Sequence, residues 1–172
     1  LWFQYDNNDP DDINDIKTRS LDLLTNWNGD MMTGLPEPLI YSTWVETFKK
    51  MLLEDELNFN FFSLDTISPL FLEKVLRNYE NAGTWCDIKH SDNIETCAEL
   101  SKKSLTKSLR KLKDAYGADV DKWRWGNERR IKHPSYSVGG TLIPKFLLEI
   151  STEIPGNTHT LNSTQLIDRS ID

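Results

Sequence analysis

A chain of 172 residues, 38% hydrophobic and 27% charged, has the length and balance of one globular domain or a large part of one. Its formal net charge of −7 disfavours nucleic acid as a partner, because phosphate binding needs a basic footprint. No run approaches the ~20 apolar residues needed to span a membrane, and no signal peptide is visible; Leu1 is not a natural start, so the chain is expected to begin inside something longer.

The first expected helix covers Asp9 to Trp27. Its acidic start suits the positive end of the helix dipole, Ile13, Ile16, Ser20, Leu24 and Trp27 share one face, and Gly29 stops it. Pro36 and Pro38 mark a turn. A second helix follows, with Ile40, Trp44, Phe48, Met51 and Leu52 at helical spacing; this wide apolar stripe reads as a core face rather than a ligand groove. Asn58 to Phe62 is aromatic-rich and reads as a packed loop or a strand. Ser68-Pro69 looks like a helix start, continued by Leu72, Val75, Leu76 and Tyr79 to Gly83.

The longest helix is expected from Asp92 to Tyr116, opened by a capping box of Asp92 and Glu95 and closed by Gly117. Ile94, Cys97, Ala98, Ser101, Leu105, Leu109, Leu112 and Tyr116 form its inner face. Lys102, Lys103, Lys107, Arg110, Lys111 and Lys113 lie mostly opposite and read as a solvated basic stripe. Beyond Gly117 the character changes, to Trp123-Arg124-Trp125-Gly126, then Arg129 and His133-Pro134. Gly139-Gly140 and Pro144 break any long helix, and Leu142 to Ile150 reads as a strand or edge segment. From Ser151 the sequence is polar.

Motifs for phosphate loops, serine nucleophile elbows and zinc peptidases are missing. The cluster Arg124, Arg129, Arg130 and Lys132 reads as solvated surface or local ion pairs. Arg124 could stack on a neighbouring tryptophan or clamp a carboxylate. His133, biased to extended backbone by Pro134, is either aimed into a cleft or hydrogen-bonded beside Trp123 or Trp125. Asp9, Asp11 and Asp12 sit at a helix start, not in a calcium loop. Asn162-Ser163-Thr164 fits a glycosylation sequon. Cys86 and Cys97 lack a zinc pattern; they are free thiols in a reducing compartment or a short closed loop in an oxidising one.

Several stretches, in order, resemble the penicillin acylase family of N-terminal nucleophile hydrolases. They are Gln4-Tyr5-Asp6, then Leu23-Leu24-Thr25-Asn26-Trp27-Asn28-Gly29-Asp30, then the Trp44 helix after its proline-marked turn. Trp85-Cys86-Asp87 with Glu95-Thr96-Cys97 follows, then Tyr116 to Asp119 with Trp123-Arg124-Trp125-Gly126 and His133-Pro134, and finally Gly156 to Asn162. The best fit is to the helical part of the β-subunit, between the two halves of its catalytic sheet.

The resemblance implies a mainly α segment of an α+β (αββα) hydrolase, with little strand near its C-terminus. Residues 1–150 would be the helical segment and 151–172 a polar tail leading toward the catalytic sheet. The family's nucleophilic serine, whose own α-amino group is the base, and its oxyanion asparagine would both lie upstream, so no catalytic residue is carried over. Trp125, Arg129 and His133 become the cleft candidates. The family's first histidine after its Trp-Arg-Trp-Gly stretch is replaced here by Arg129, and His133 matches the second. Family export favours a Cys86–Cys97 disulfide and a periplasmic or extracellular location. The implied partners are the α-subunit, the catalytic sheet and an acylated small-molecule substrate. No metal or other cofactor is expected in this segment, with calcium left open for the parent protein. A free-standing helical interaction module or a non-catalytic relative is the alternative.

Overall fold

The computed structural model describes residues 11–54, 67–89, 91–133 and 150–157. It is mainly helical, as expected, with one short two-stranded antiparallel ladder among the described residues. The chain divides into two compact units, Leu1–Asn26 with Ile40–Val120, and Trp27–Leu39 with Asp121–Asp172. The expectations placed on Gln4 to Asp6, Asn58 to Phe62, Leu142 to Glu149 and the sequon lie outside the described residues.

In the first unit, α1 (Asp11–Asn26) buries Ile13, Ile16 and Ser20, the face read from periodicity. Trp27 lies past the end of the helix, and its indole donates to the Asp30 carbonyl at 2.9 Å. α2 (Glu37–Leu53) buries Ile40, Phe48 and Leu52. Trp44 joins this inner face: its indole N–H lies 3.1 Å from both the Ser101 carbonyl and Ser104 Oγ. Trp44 therefore ties α2 to the long helix instead of lining a groove.

α3 (Pro69–Leu76) begins as its sequence suggests. Ser68 is the N-cap, its hydroxyl accepts from the Leu70 N–H, and Pro69 occupies the first turn, where a missing N–H costs nothing. It does not reach Gly83. It ends at Leu76, and a 3-10 segment (Tyr79–Cys86) follows across a kink with Asn78, Glu80 and Asn81 at φ of 51°, 53° and 65°. The reason is local competition for backbone groups. Asn78 tolerates the left-handed region, and its Oδ1 accepts from the Gly83 N–H at 2.9 Å, an alternative to the helical bond. A side chain at Gly83 would place its Cβ 2.7 Å from that same oxygen.

The longest helix, α4 (Cys97–Tyr116), starts later than the sequence reading placed it. Its capping box is Thr96 with Glu99: the Thr96 hydroxyl accepts from the Glu99 N–H, and the Glu99 carboxylate accepts from the Thr96 N–H at 2.8 Å. Glu95 is unavailable as a capping partner because it is buried in a different network. It accepts from the Ile88 N–H at 3.1 Å, the Ser91 hydroxyl at 2.9 Å and Lys103 Nζ at 2.9 Å. Its own N–H donates to Asp87 Oδ1 at 3.2 Å. Ile94, expected on the inner face, consequently lies outside the helix and is 86% exposed.

The buried face of α4 is Leu100, Ser104, Leu105, Ser108, Leu109 and Leu112. The two buried serines satisfy their hydroxyls within the helix, donating to the Ser101 and Leu105 carbonyls at 2.8 and 2.7 Å. Lys103 and Lys113 of the basic stripe are ion-paired, to Glu95 and to Asp12 of α1. Lys102, Lys107, Arg110 and Lys111 are exposed, as expected of a solvated face. Cys86 and Cys97 are joined in a disulfide with Cα atoms 5.0 Å apart. Cys86 packs in a core cluster with Phe48, Leu52, Leu53, Val75 and Leu100.

Two predictions follow from these termini and this network. Thr96→Ala should cost about 1 kcal/mol in urea unfolding, the usual loss for a removed cap, while Asp92→Ala should cost almost nothing; the reverse ranking would restore the earlier start. Lys103, with the bonds from Ile88 and Ser91, holds the Glu95 carboxyl at about 2, against an ordinary 4.5. A depressed acid stabilises the fold above its unfolded value and loses that contribution as protons bind. Stability measured from pH 4.5 down to about 2 should therefore fall, and Glu95→Gln should flatten that limb of the profile. An unchanged slope in the variant would show that Glu95 does not govern it.

Candidate functional site

The three cleft candidates fall in the second unit, where backbone hydrogen bonds bring distant stretches together. A turn precedes them: Asn28 Oδ1 accepts from the Asp30 N–H at 3.0 Å, and Gly29 sits at φ 90°. The segment after it then supplies carbonyls in succession. Met31 accepts from the Gly156 N–H at 2.9 Å, Thr33 from Gly126 at 2.8 Å and Leu35 from Trp125 at 3.0 Å. Two of the family-like stretches, those containing Trp123 to Gly126 and Gly156, thus meet the segment that follows the third, Trp27 to Asp30.

Trp123 is fully buried and Trp125 nearly so. Trp125 opens the short helix α5 (Trp125–Glu128), and its indole N–H donates to the Gly156 carbonyl at 3.0 Å. This bond satisfies the polar edge of a large buried ring, which would otherwise be costly to desolvate. Arg124, between the two tryptophans, is exposed.

Arg129 follows α5 directly, its N–H donating to the Trp125 carbonyl at 3.1 Å. Its carbonyl accepts from the Ile154 N–H at 3.1 Å, and its side chain is 7% exposed. Burial pushes the guanidinium pKa below its ordinary value, since desolvation penalises the charged form. Of the basic cluster, then, Arg129 is not solvated surface. Arg130 is paired: Nε donates to the Gly126 carbonyl at 3.1 Å and the guanidinium meets Glu153 Oε1 at 3.3 Å.

His133 ends β1 (Arg130–His133), which pairs antiparallel with β2 (Ile150–Glu153) in the register Arg130↔Glu153 to His133↔Ile150. The extended backbone expected before Pro134 is present; the His133 side chain lies outside the described residues. The structure therefore brings Trp125 and Arg129 together on one helical turn and places the His133 backbone farther along the strand that leaves it. Ser151 to Glu153, read only as polar, are three of the four residues of β2. The Arg130–Glu153 pair was invisible in the sequence because its register depends on the residues between the strands.

Among the described residues no group of three or more histidine, cysteine, aspartate or glutamate side chains could hold a metal ion. Among the described residues no helix is long and apolar enough to cross a membrane.

Gly126 is a place where this unit has no room. An added Cβ there would run into the carboxylate of Glu153. Gly126→Ala should displace that side chain, break its exposed pair with Arg130 and cost at most about 1 kcal/mol. Glu153→Ala in the same chain should recover part of the loss, so that a double-mutant cycle is non-additive by about 0.5 kcal/mol or more. Simple additivity in urea denaturation would show that the two residues do not meet.

The family model for penicillin amidase matches residues 4–169. No curated protein and no solved structure matches the chain. With nearly the whole sequence inside one family model, this chain belongs to the penicillin amidase family.

Proposed function

We propose that this chain is the helical segment of the β-subunit of a penicillin-acylase-type amidohydrolase, which cleaves the amide bond of an acylated small molecule of the β-lactam or N-acyl homoserine lactone type. The family match over residues 4–169 carries the reading, because it supports amidohydrolase chemistry over almost the entire chain. The segment holds no nucleophile of its own. The acylating serine and the oxyanion donors come from the rest of the precursor, the α-subunit and the catalytic sheet, which are its partners. Trp125, Arg129 and His133 help to shape the wall of the acyl cleft. Calcium, where the parent uses it, is held outside this segment, and the parent is exported to the periplasm or beyond the cell.

Two observations support this over a free-standing helical module. Leu70 and Leu76 of α3 and the adjoining Tyr79 are 61%, 54% and 64% exposed, the kind of apolar surface that a docked neighbour covers. The disulfide between Cys86 and Cys97 suits an oxidising compartment.

The test is hydrolysis of a panel of acylated β-lactams and N-acyl homoserine lactones. Purified alone, this chain should release product no faster than a boiled control. Within its full open reading frame it should support turnover, and replacing the processed serine with alanine should abolish it. Turnover by the isolated chain would overturn the division of labour. Inactivity of an intact, processed precursor would favour a non-catalytic relative.

A further inference from the structure

The loop between Cys86 and Cys97 is closed twice. The disulfide joins its ends, at a sequence separation of 11. Inside it, the buried Glu95 carboxylate gathers the Ile88 N–H, the Ser91 hydroxyl and Lys103 Nζ, while the Glu95 N–H reaches back to Asp87 Oδ1. These bonds join the residues just after Cys86 to those just before Cys97, and Lys103 fastens them to α4. The two residues differ in exposure: Cys86 is fully buried in the core cluster, whereas Cys97, at the start of α4, is only partly buried, its Sγ 3.6 Å from the Val75 and Gly83 carbonyls.

We infer that the Glu95-centred hydrogen bonds and the Cys86–Cys97 disulfide are mutually reinforcing closures of one loop, forming a redox-coupled clamp whose exchange with external thiols runs through Cys97. The argument is linkage. Bonds that form only when the loop is closed hold the two thiols near one another after reduction and raise their effective concentration. By reciprocity, the disulfide strengthens those bonds by the same factor.

The exchange partner is a small thiol such as glutathione. Its thiolate attacks Sγ of Cys97, the S–S bond breaks, and Cys86 leaves as a thiolate that takes up a proton. A second glutathione thiolate then attacks the glutathione sulfur on Cys97, releasing Cys97 as a thiol and glutathione disulfide. Two protein sulfurs are reduced and two glutathiones oxidised. Because the clamp keeps Cys86 beside the mixed disulfide, the return attack by Cys86 on Cys97 outruns the second step, and the oxidised form persists. This inference stands independently of the amidohydrolase reading.

The test equilibrates the full chain in glutathione redox buffers at neutral pH and reads the oxidised fraction by alkylation and mass spectrometry. Glu95→Gln should lower the dithiol–disulfide equilibrium constant about tenfold and Lys103→Met about threefold, in line with charged hydrogen bonds and an exposed ion pair. Lys107→Met, exposed on the same helix, should leave it unchanged. Acid-trapped intermediates should carry glutathione on Cys97. Equal constants in the parent, Glu95→Gln and Lys103→Met, or glutathione trapped on Cys86, would overturn the inference. Should Glu95→Gln fail to fold, Lys103→Met and the trapping position decide it.

Discussion

The position at which α4 begins governs the first unit. Thr96 caps the helix and Cys97 is its first residue, bonded to Cys86, which lies in the core beneath Val75 and Leu100. A helix advances by about 100° per residue, so sliding the sequence by one residue along the helix from this anchored start would rotate its whole inner face. Leu100, Leu105, Leu109 and Leu112 would leave the core, and Ser104 would leave the indole of Trp44. The serines matter to this register as much as the leucines. The side chains at 104 and 108 are small and their hydroxyls are satisfied within the turn, so burying them leaves neither oxygen orphaned.

The second unit is held by a different kind of constraint. It has few regular elements among its described residues, and its backbone groups must find partners one at a time. They do so along a line of carbonyls from Met31 to Leu35, with Gly126 and Gly156 where the chain passes closely or turns to a positive φ of 93°. Two buried indoles, Trp123 and Trp125, supply much of the apolar surface. A structure of this sort tolerates little change at Gly156, with its positive φ, and at its tryptophans, while the exposed Arg124 between them can vary without disturbing a buried group.

These two constraints explain what could be read in the sequence. Helical periodicity located α1, α2 and the start of α3, because Ile13, Ile16, Ile40, Phe48, Leu52 and the Ser68-Pro69 pair act through neighbours within a turn. It failed where a side chain bonded outside its own turn. Glu95 resembled a capping residue but is used by Ile88, Ser91 and Lys103; Asn78 lay in an unbroken apolar pattern but captures Gly83. In the candidate site, Trp125 and Arg129 were singled out by resemblance. Their surroundings were not legible, since the Gly156 carbonyl and the strand partner of Arg130 are set by chain distant in sequence.

Arg129 shows how far family membership reaches. The resemblance implies a histidine at this position in the family's pattern, and the guanidinium here is buried beside a helical turn that keeps the family-like tryptophans. A histidine can gain or lose a proton near neutrality and can accept a hydrogen bond; a guanidinium stays charged and only donates. Burial lowers the pKa of Arg129, but from a value so high that it remains a cation at neutral pH. A proton-transferring or accepting role for the histidine therefore cannot pass to this chain, whereas filling space or donating to a carbonyl or carboxylate can. The Trp-Arg-Trp-Gly stretch follows the family's pattern while the chemistry available at Arg129 is narrower, and it favours an electron-rich neighbour over a neutral one.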